Sequence, residues 1–222
     1  MPSCCDPEGY DAVFTDGFAN RVARRYRRRG LSATSRRMVD FLTERGVDGA
    51  SILEIGGGVG EIQLELLRRG AARATNLEIS TSYEEQARQL LEQEGLTGRV
   101  TRRLLDIAQL PDEVEPADIV VLHRVVCCYP DHEALLSAAG RHARRLLVFS
   151  HPPSNALTRA LVGAENLGRR MRGQSFRAFV HPAGAMASVL ADTGLVARFV
   201  HAGWAWRVVG LERAGEESEQ PE

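Results

Sequence analysis

An acidic residue followed by closely spaced glycines is the clearest chemical pattern in this sequence. The stretch 51–60 reads SILEIGGGVG, in which Glu54 comes just before Gly56, Gly58 and Gly60. Glycines let a loop turn sharply and bring its backbone against a ligand, because they have no Cβ and tolerate positive φ. Glu54 would repel a pyrophosphate but would attract a ligand that carries an ammonium or sulfonium group. The stretch therefore predicts a binding loop for a partly cationic ligand.

The glycine spacing disfavours two common nucleotide-binding motifs. The dinucleotide fingerprint G-x-G-x-x-G places its third glycine three positions after the second, whereas Gly60 follows Gly58 by two. A P-loop ends in Gly-Lys-Ser/Thr, and this sequence contains no lysine, so all 28 basic residues are arginine. A nicotinamide-dependent oxidoreductase is therefore disfavoured, and Schiff-base or lysine-base chemistry is excluded.

The loop is predicted to connect a buried strand to a helix. The run that contains Ile52, Leu53 and Ile55 is typical of a parallel strand, and apolar residues recur at helical spacing from Gly60 to Gly70. Strands and helices then continue to alternate, which predicts an α/β fold with a mostly parallel sheet. Further strands are predicted at 73–79, 100–105, 117–122 and 145–150, and helices at 81–94 and 131–139.

Helices are also predicted on both sides of this alternating core. Before it, a helix from Phe14 to Gly30 would carry an apolar stripe and an arginine-rich opposite face, and a second helix would cover 32–45. After it, we expect helices at 155–174 and 183–191. A hairpin of strands 196–201 and 204–211, turning at Ala202-Gly203, would end the fold.

The order of the acidic and glycine motifs resembles that of the class I S-adenosylmethionine (SAM)-dependent methyltransferases. Glu54 and the glycines match motif I of that family. Glu78 ends the second strand, Asp106 follows the third, and Asp118 begins a fourth that leads into His123. The resemblance implies a Rossmann-like class I methyltransferase fold, with a seven-stranded, mostly parallel sheet, an antiparallel C-terminal hairpin strand and helices on both faces. It divides the chain into a helical cap at 1–46, a methyltransferase domain at 47–212 with a substrate-side helical insertion at 151–194, and a disordered acidic tail at 213–222.

The resemblance also implies which residues hold SAM. Glu54 would lie near the methionine amino group, Asp106 near the adenine amino group, and Glu78 would accept hydrogen bonds from both ribose hydroxyls through its two oxygens. A buried acid that caps the loop amides is the alternative role for Glu54. The implied cofactor-binding set is Glu54, Gly56, Gly57, Gly58, Gly60, Glu78, Ile79, Asp106, Ile107 and His123.

Methyl transfer from SAM is a direct displacement in which alignment can supply much of the rate, so a catalytic base is optional. A hydroxyl or carboxyl acceptor would need its proton removed. The candidate catalytic residues follow the fourth and fifth strands at the ligand end of the sheet, and for each a purely structural role is the alternative. They are His123, Tyr129 and His151.

The layout of the whole chain is similar to the magnesium-protoporphyrin O-methyltransferase branch of the family. Shared features are the N-terminal helices, the Tyr-Pro after the fourth strand and a basic insertion with an aromatic-Val-His element. This similarity implies a carboxyl acceptor on a flat, acidic molecule. The candidate substrate residues are Phe14, Phe18 and Tyr26, for which core packing is the alternative role, together with Arg124 and His181.

Composition limits the possible partners. The chain has 222 residues, 44% hydrophobic and 26% charged, and a net charge of −1, which gives no overall argument for nucleic acid or membrane binding. No window is long and apolar enough to span a bilayer and no signal pattern is visible, so a cytoplasmic location is expected. The pairs Cys4-Cys5 and Cys127-Cys128 lack the C-x-x-C zinc spacing, so we expect reduced thiols and no metal.

The function predicted from the sequence is methyl transfer from SAM to a small-molecule acceptor, at oxygen. Two alternatives remain open. The arginine-rich N-terminal helix could serve an RNA or protein methyltransferase, or the chain could bind SAM without catalysis.

Overall fold

A seven-stranded sheet forms the centre of the computed structural model, which describes residues 7–215. The strands are β1 (Ser51–Ile55), β2 (Arg73–Glu78), β3 (Val100–Leu104), β4 (Ala117–His123), β5 (Ala143–His151), β6 (Leu195–Ala202) and β7 (Arg207–Arg213). Their order is β3-β2-β1-β4-β5-β7-β6. β7 runs antiparallel to both of its neighbours, and the remaining neighbouring pairs are parallel. The predicted sheet is therefore confirmed.

Eight α-helices surround this sheet within residues 7–215, in addition to four short 3₁₀ helices. The α-helices are α1 (Pro7–Asp11), α2 (Asp16–Arg29), α3 (Ala33–Glu44), α4 (Glu61–Arg68), α5 (Glu84–Gln93), α6 (His132–His142), α7 (Ala156–Met171) and α8 (Ala183–Asp192). None of them is both long and apolar enough to cross a bilayer.

The two faces of the sheet bury separate apolar cores, because successive side chains of a strand point to opposite sides. On β1, Ile52 packs with α3, α4 and α5, whereas Leu53 packs with α6 and α8. β4 alternates in the same way between Ile119 and Val120. Both faces of the central strands are therefore covered, which is why these strands are apolar throughout.

The N-terminal helices begin later than the apolar pattern predicted. The Thr15 side chain accepts a hydrogen bond from the Phe18 amide (3.3 Å) and caps α2, so Phe14 lies before the helix. Gly30, at φ 66°, ends α2, and Ser32 caps α3. This places Phe14 in the connection between α1 and α2.

The C-terminal boundaries also differ from the prediction. β7 includes Arg213, which the sequence assigned to the acidic tail. The Arg213 guanidinium donates to the carbonyls of Thr193 (2.7 Å) and Gly140 (2.8 Å), which ties the strand to α6 and α8. Of the remaining predicted tail, residues 216–222 lie outside the described residues.

Candidate functional site

A cleft opens where β1, β2 and β4 end, at the carboxyl edge of the sheet. In open α/β sheets this edge is where ligands bind. The cleft has about 970 Å³ of empty volume, part of it open to solvent. Of the residues named from the sequence, it is lined by Phe14, Phe18, Glu54, Gly56, Gly57, Gly58, Glu78, Ile79, His123 and Arg124.

The glycine loop after β1 needs its glycines for two separate reasons. Gly56, Gly58 and Gly60 have φ values of 61°, 55° and 84°, which side chains rarely adopt. In addition, a Cβ at Gly56 would lie 2.6 Å from Val125 Cγ2, and one at Gly58 would lie 3.3 Å from the Tyr83 ring. The loop therefore has a conformation and a packing that glycine accommodates best, and it brings its backbone to the cleft wall.

Glu78, at the end of β2, is held in place by backbone amides. Its Oε2 accepts from Gly58 N (2.9 Å), and its Oε1 accepts from the amides of Ile79 (2.9 Å) and Ser80 (3.2 Å). Burial raises the pKa of this carboxyl, and the backbone hydrogen bonds oppose that shift. Glu78 is thus a fixed acceptor on the cleft wall, next to the glycine loop.

Glu54 lies beneath the loop and is almost fully buried. Its Oε2 accepts from Gln63 N (3.1 Å) in the first turn of α4, so it does cap a helix amide. Burial raises the pKa of Glu54 well above its ordinary value. The neighbouring Gln63 and Asn76 are also fully buried, and the Asn76 amide donates to Gln63 Oε1 (3.2 Å). Glu54, Gln63 and Asn76 therefore form a buried polar layer on the inner side of the glycine loop.

Replacing Glu54 with glutamine is expected to flatten the pH dependence of stability. Because the pKa of Glu54 is higher in the folded than in the unfolded protein, its contribution to stability is complete below the unfolded pKa and is lost as the pH rises through the folded pKa. Glutamine keeps an acceptor for Gln63 N but does not ionise. The free energy of unfolding, measured with urea from about pH 5 to about pH 9, should fall less steeply in Glu54→Gln, by up to about 1.4 kcal/mol per pH unit.

Glu44→Gln is the matched control for this experiment, since the Glu44 side chain is 74% exposed. We expect its stability to follow the wild-type curve. At each pH the wild-type free energy of unfolding is subtracted from that of the variant. This difference removes the contribution of the histidines, which all three proteins share. An equal slope in Glu54→Gln and the wild type would contradict the buried, raised-pKa state of Glu54.

His123 contacts the cleft as a half-buried, neutral imidazole. Its Nδ1 lies 3.0 Å from Ser150 Oγ and its Nε2 lies 3.3 Å from Ser35 Oγ. Burial, followed by the positive charges of Arg124 and Arg25, lowers the pKa of His123 to about 3. With both nitrogens engaged and a pKa this low, His123 is suited to positioning and is a poor proton acceptor at neutral pH.

Arg124 has the strained backbone of this site. Its φ of 62° is the one positive value among the described non-glycine residues. The Arg124 amide donates to Ser150 Oγ (3.0 Å), and its guanidinium lies 4.6 Å from the centre of the Trp206 ring. The loop after β4 thus holds this cation against the cleft at an energetic cost.

Glu61 and Arg25 line the cleft but were not predicted as site residues from the sequence. Glu61 opens α4, and burial raises its pKa, an effect that Arg124 and Arg25 oppose. Arg25 lies on α2, seven residues after Phe18, so the two share a helix face. That spacing was the available signal for Arg25. The remaining cleft residues missed from the sequence are Tyr10, Val22, Ser32, Val59, Tyr83, Val125 and Cys128.

Two candidate residues form a pair of their own outside the cleft wall. The Tyr129 hydroxyl donates to Asp106 Oδ2 (2.8 Å), and Asp106 Oδ1 accepts from the Ala108 amide (3.0 Å). The Ile107 side chain is buried in the core on the α6 side of the sheet. Their predicted roles toward adenine and in catalysis therefore remain predictions.

Four further candidates also lie outside the cleft wall, each with another partner. Gly60 caps α4 in a left-handed conformation. The Tyr26 hydroxyl donates to Glu65 Oε1 (2.9 Å), His151 Nδ1 lies 2.8 Å from the Pro152 carbonyl, and His181 Nε2 lies 3.0 Å from the Tyr129 carbonyl. The cofactor, substrate and catalytic roles predicted for these four residues remain predictions.

The described cysteines form a close thiol pair. Cys127 and Cys128 are free, with their sulfurs 3.7 Å apart, and Cys128 lines the cleft. Within residues 7–215 no group of three or more His, Cys, Asp or Glu side chains could hold a metal. Cys4 and Cys5 lie outside the described residues.

Comparison with known proteins identifies the fold. Residues 52–147 match the family described as "Methyltransferase domain". A comparison with curated protein sequences gave no match. A magnesium protoporphyrin IX methyltransferase from Synechocystis PCC 6803, solved with bound SAH, is 21% identical, with 91% of this chain and 99% of that chain covered and a TM-score of 0.68.

Two other solved structures support the same fold. An O-methyltransferase family protein from Burkholderia thailandensis is 21% identical, with 91% of this chain and 60% of that chain covered and a TM-score of 0.69. An O-methyltransferase family 2 protein from Planctomyces limnophilus, in complex with apigenin, is 15% identical, with 84% and 63% covered and a TM-score of 0.60. Residues 52–147 thus match a methyltransferase domain, and the whole chain has the same fold as class I SAM-dependent methyltransferases, as the motif order predicted.

Proposed function

We propose that this protein transfers the methyl group of SAM to an oxygen atom of a small, acidic acceptor. The observation that supports this most directly is the charge arrangement of the cleft. The Glu78 carboxyl lies beside the glycine loop, and Arg25 and Arg124 line the same cleft. Carboxyl groups suit a cationic methyl donor, and arginines suit an anionic acceptor.

The residues around the loop fit SAM. The glycine loop brings its backbone to the cleft, and the Glu78 carboxylate is held beside it at a fixed position, where its remaining acceptor capacity suits ribose hydroxyls. When bound, SAM supplies an electrophilic methyl group whose carbon–sulfur bond breaks as the acceptor oxygen attacks, with the bonding electrons passing to sulfur. The work left to the chain is to align the two reactants and to exclude water from between them.

The state of His123 favours a carboxylate over a hydroxyl acceptor. A hydroxyl must lose a proton during transfer, and a histidine with a pKa of about 3 accepts one poorly. A carboxyl group, for which proton removal was also expected from the sequence, is already ionised at neutral pH and needs no base. The structural neighbour that methylates magnesium protoporphyrin IX agrees with a small-molecule acceptor. The product of this proposed reaction is a methyl ester.

The test is methyl transfer from labelled SAM to a panel of aromatic and tetrapyrrole carboxylic acids, with the matching alcohols as comparison. Arg25→Gln is expected to raise the KM for carboxylate acceptors by about tenfold, since it removes one charge-assisted contact. Arg28→Gln is the matched control. It changes an exposed arginine on the same helix that does not line the cleft, and its KM should equal that of the wild type.

The same two variants separate the alternative functions. RNA binding through the exposed face of α2 would be weakened similarly by Arg25→Gln and Arg28→Gln and would fall steeply with salt. Methyl transfer to the alcohols, with the same KM in Arg25→Gln as in the wild type, would contradict the proposal that the acceptor is acidic. SAM binding with no transfer to any member of the panel would favour a non-catalytic binding protein.

A further inference from the structure

The helix α7 carries its apolar residues on the side that faces away from the protein. These residues recur at intervals of three and four, so they form one continuous stripe on the helix. Its large side chains are strongly exposed: Leu157 (68%), Leu161 (62%), Leu167 (60%) and Met171 (81%). With the exposed Ala160 and Ala164 between them, they are called here the α7 apolar stripe.

The opposite, polar side of α7 attaches the helix to the protein. The Asn166 side chain donates to the Ala178 carbonyl (2.8 Å) and accepts from the Ala178 amide (2.9 Å). Arg169 lies over the Phe176 ring, 5.1 Å from its centre. These contacts fix the rotation of the helix, so the outward direction of the stripe is a property of the folded chain.

An exposed tryptophan lies at the same edge of the sheet. Trp204 is 95% exposed in the turn between β6 and β7. The first residue of β7, Arg207, pairs with His151, the last residue of β5, and α7 begins five residues after His151. Tryptophan is enriched at membrane–water interfaces because its ring is amphipathic.

The charges of α7 favour an anionic partner over a second copy of the chain. Arginines border the stripe, with Arg159 and Arg170 at one side by helical spacing and Arg172 at the other. The one acid in 156–172, Glu165, already pairs with Arg169 at 2.5 Å. A facing copy of α7 would therefore bring arginines together with no further acid on that helix to meet them.

We propose that the α7 apolar stripe and Trp204 dock this protein on the surface of an anionic phospholipid bilayer. In this arrangement α7 lies in the plane of the interface, with its leucines among the acyl chains and its arginines at the headgroups. The net charge of the whole chain is −1, so the overall composition does not reveal this local cationic and apolar surface. The docking edge is the carboxyl edge of the sheet, which also carries the cleft.

The test is flotation of the full-length protein with vesicles of phosphatidylcholine and phosphatidylglycerol in equal amounts, and with pure phosphatidylcholine. We expect binding to the mixed vesicles that weakens with salt, and much weaker binding to the neutral ones. The double variant Leu161→Ser, Met171→Ser should lower the partition coefficient at least tenfold, to judge from the roughly proportional dependence on apolar area. Leu104→Ser, equally exposed at 62% on the edge strand β3, should bind as the wild type does.

Three results would overturn the proposal: no flotation of the wild type with the mixed vesicles, equal flotation of the double variant, or a wild-type dimer in sedimentation equilibrium that the double variant abolishes. The last would assign the stripe to a second copy. Circular dichroism checks folding, and Leu157→Ser serves as a second stripe variant if the double variant is poorly folded. SAM calorimetry on the same proteins keeps this outcome separate from that of the proposed function.

Discussion

Replacing Glu78 with alanine is expected to weaken SAM binding by about 100-fold. Hydrogen bonds to a charged group contribute about 1.5–3 kcal/mol each, and a factor of 100 corresponds to about 2.7 kcal/mol. Glu78 is fixed by three backbone amides, so it can receive the ribose hydroxyls without first being ordered. Glu78→Gln keeps one carbonyl oxygen and should give an intermediate loss. Isothermal titration calorimetry with SAM measures both.

Two controls make this result specific to Glu78. Glu113→Ala removes an exposed acid that pairs with Arg103 (3.3 Å) and should leave the SAM affinity unchanged. Thermal unfolding without ligand checks the alanine variant, because it leaves the Gly58 amide without its carboxylate. Equal affinity in the wild type, Glu78→Ala and Glu78→Gln would remove the ribose assignment.

The Gly56→Ala variant is expected to lose at least tenfold in SAM affinity. Its Cβ would lie 2.6 Å from Val125 Cγ2, so either the Val125 side chain or the glycine loop would have to shift. The positive φ of 61° adds about 1–2 kcal/mol of backbone strain for any L side chain. Both effects displace the backbone that must lie against the cofactor.

The Gly95→Ala variant distinguishes the effect of backbone strain at positive φ from the effect of the steric clash with Val125. Gly95 follows α5 at φ 66°, and nothing lies within 4 Å of the position that its Cβ would take. This control should lose a similar amount of thermal stability while binding SAM as tightly as the wild type. If Gly56→Ala binds SAM with wild-type affinity, the loop is not the cradle.

The sheet was predictable because its signals are local. Central parallel strands are buried on both faces, so they appear as uninterrupted apolar runs such as Ile119–Leu122. Capping is less visible in an apolar pattern. Thr15 stops α2 short of Phe14, although Phe14 continues the spacing of the stripe. The sequence therefore predicts element type well and helix ends less well.

The candidate site likewise contains residues that the sequence predicts and residues that only the tertiary structure reveals. The glycines and Glu78 follow directly from strand ends, so their positions could be predicted from chain order. Arg25 and Glu61 meet the cleft only because α2 and α4 pack against the same region, which no single stretch reveals. The pairing of Tyr129 with Asp106 and the outward rotation of α7 are likewise tertiary facts. An amphipathic pattern shows that a helix has two faces without showing which one the protein covers.

The Ser150 hydroxyl contacts both the His123 imidazole and the Arg124 backbone, two groups with different roles in the proposed site. It is fully buried, contacts the His123 imidazole and accepts from the Arg124 amide, so one small side chain anchors both the neutral ring and the strained cation. Changes at these positions share that anchor, and their energies will not add. Because Arg124 contacts Ser150 through its backbone amide, a side-chain substitution at position 124 can leave this anchor in place, whereas a substitution of Ser150 alters the support of His123 and of the Arg124 backbone at once.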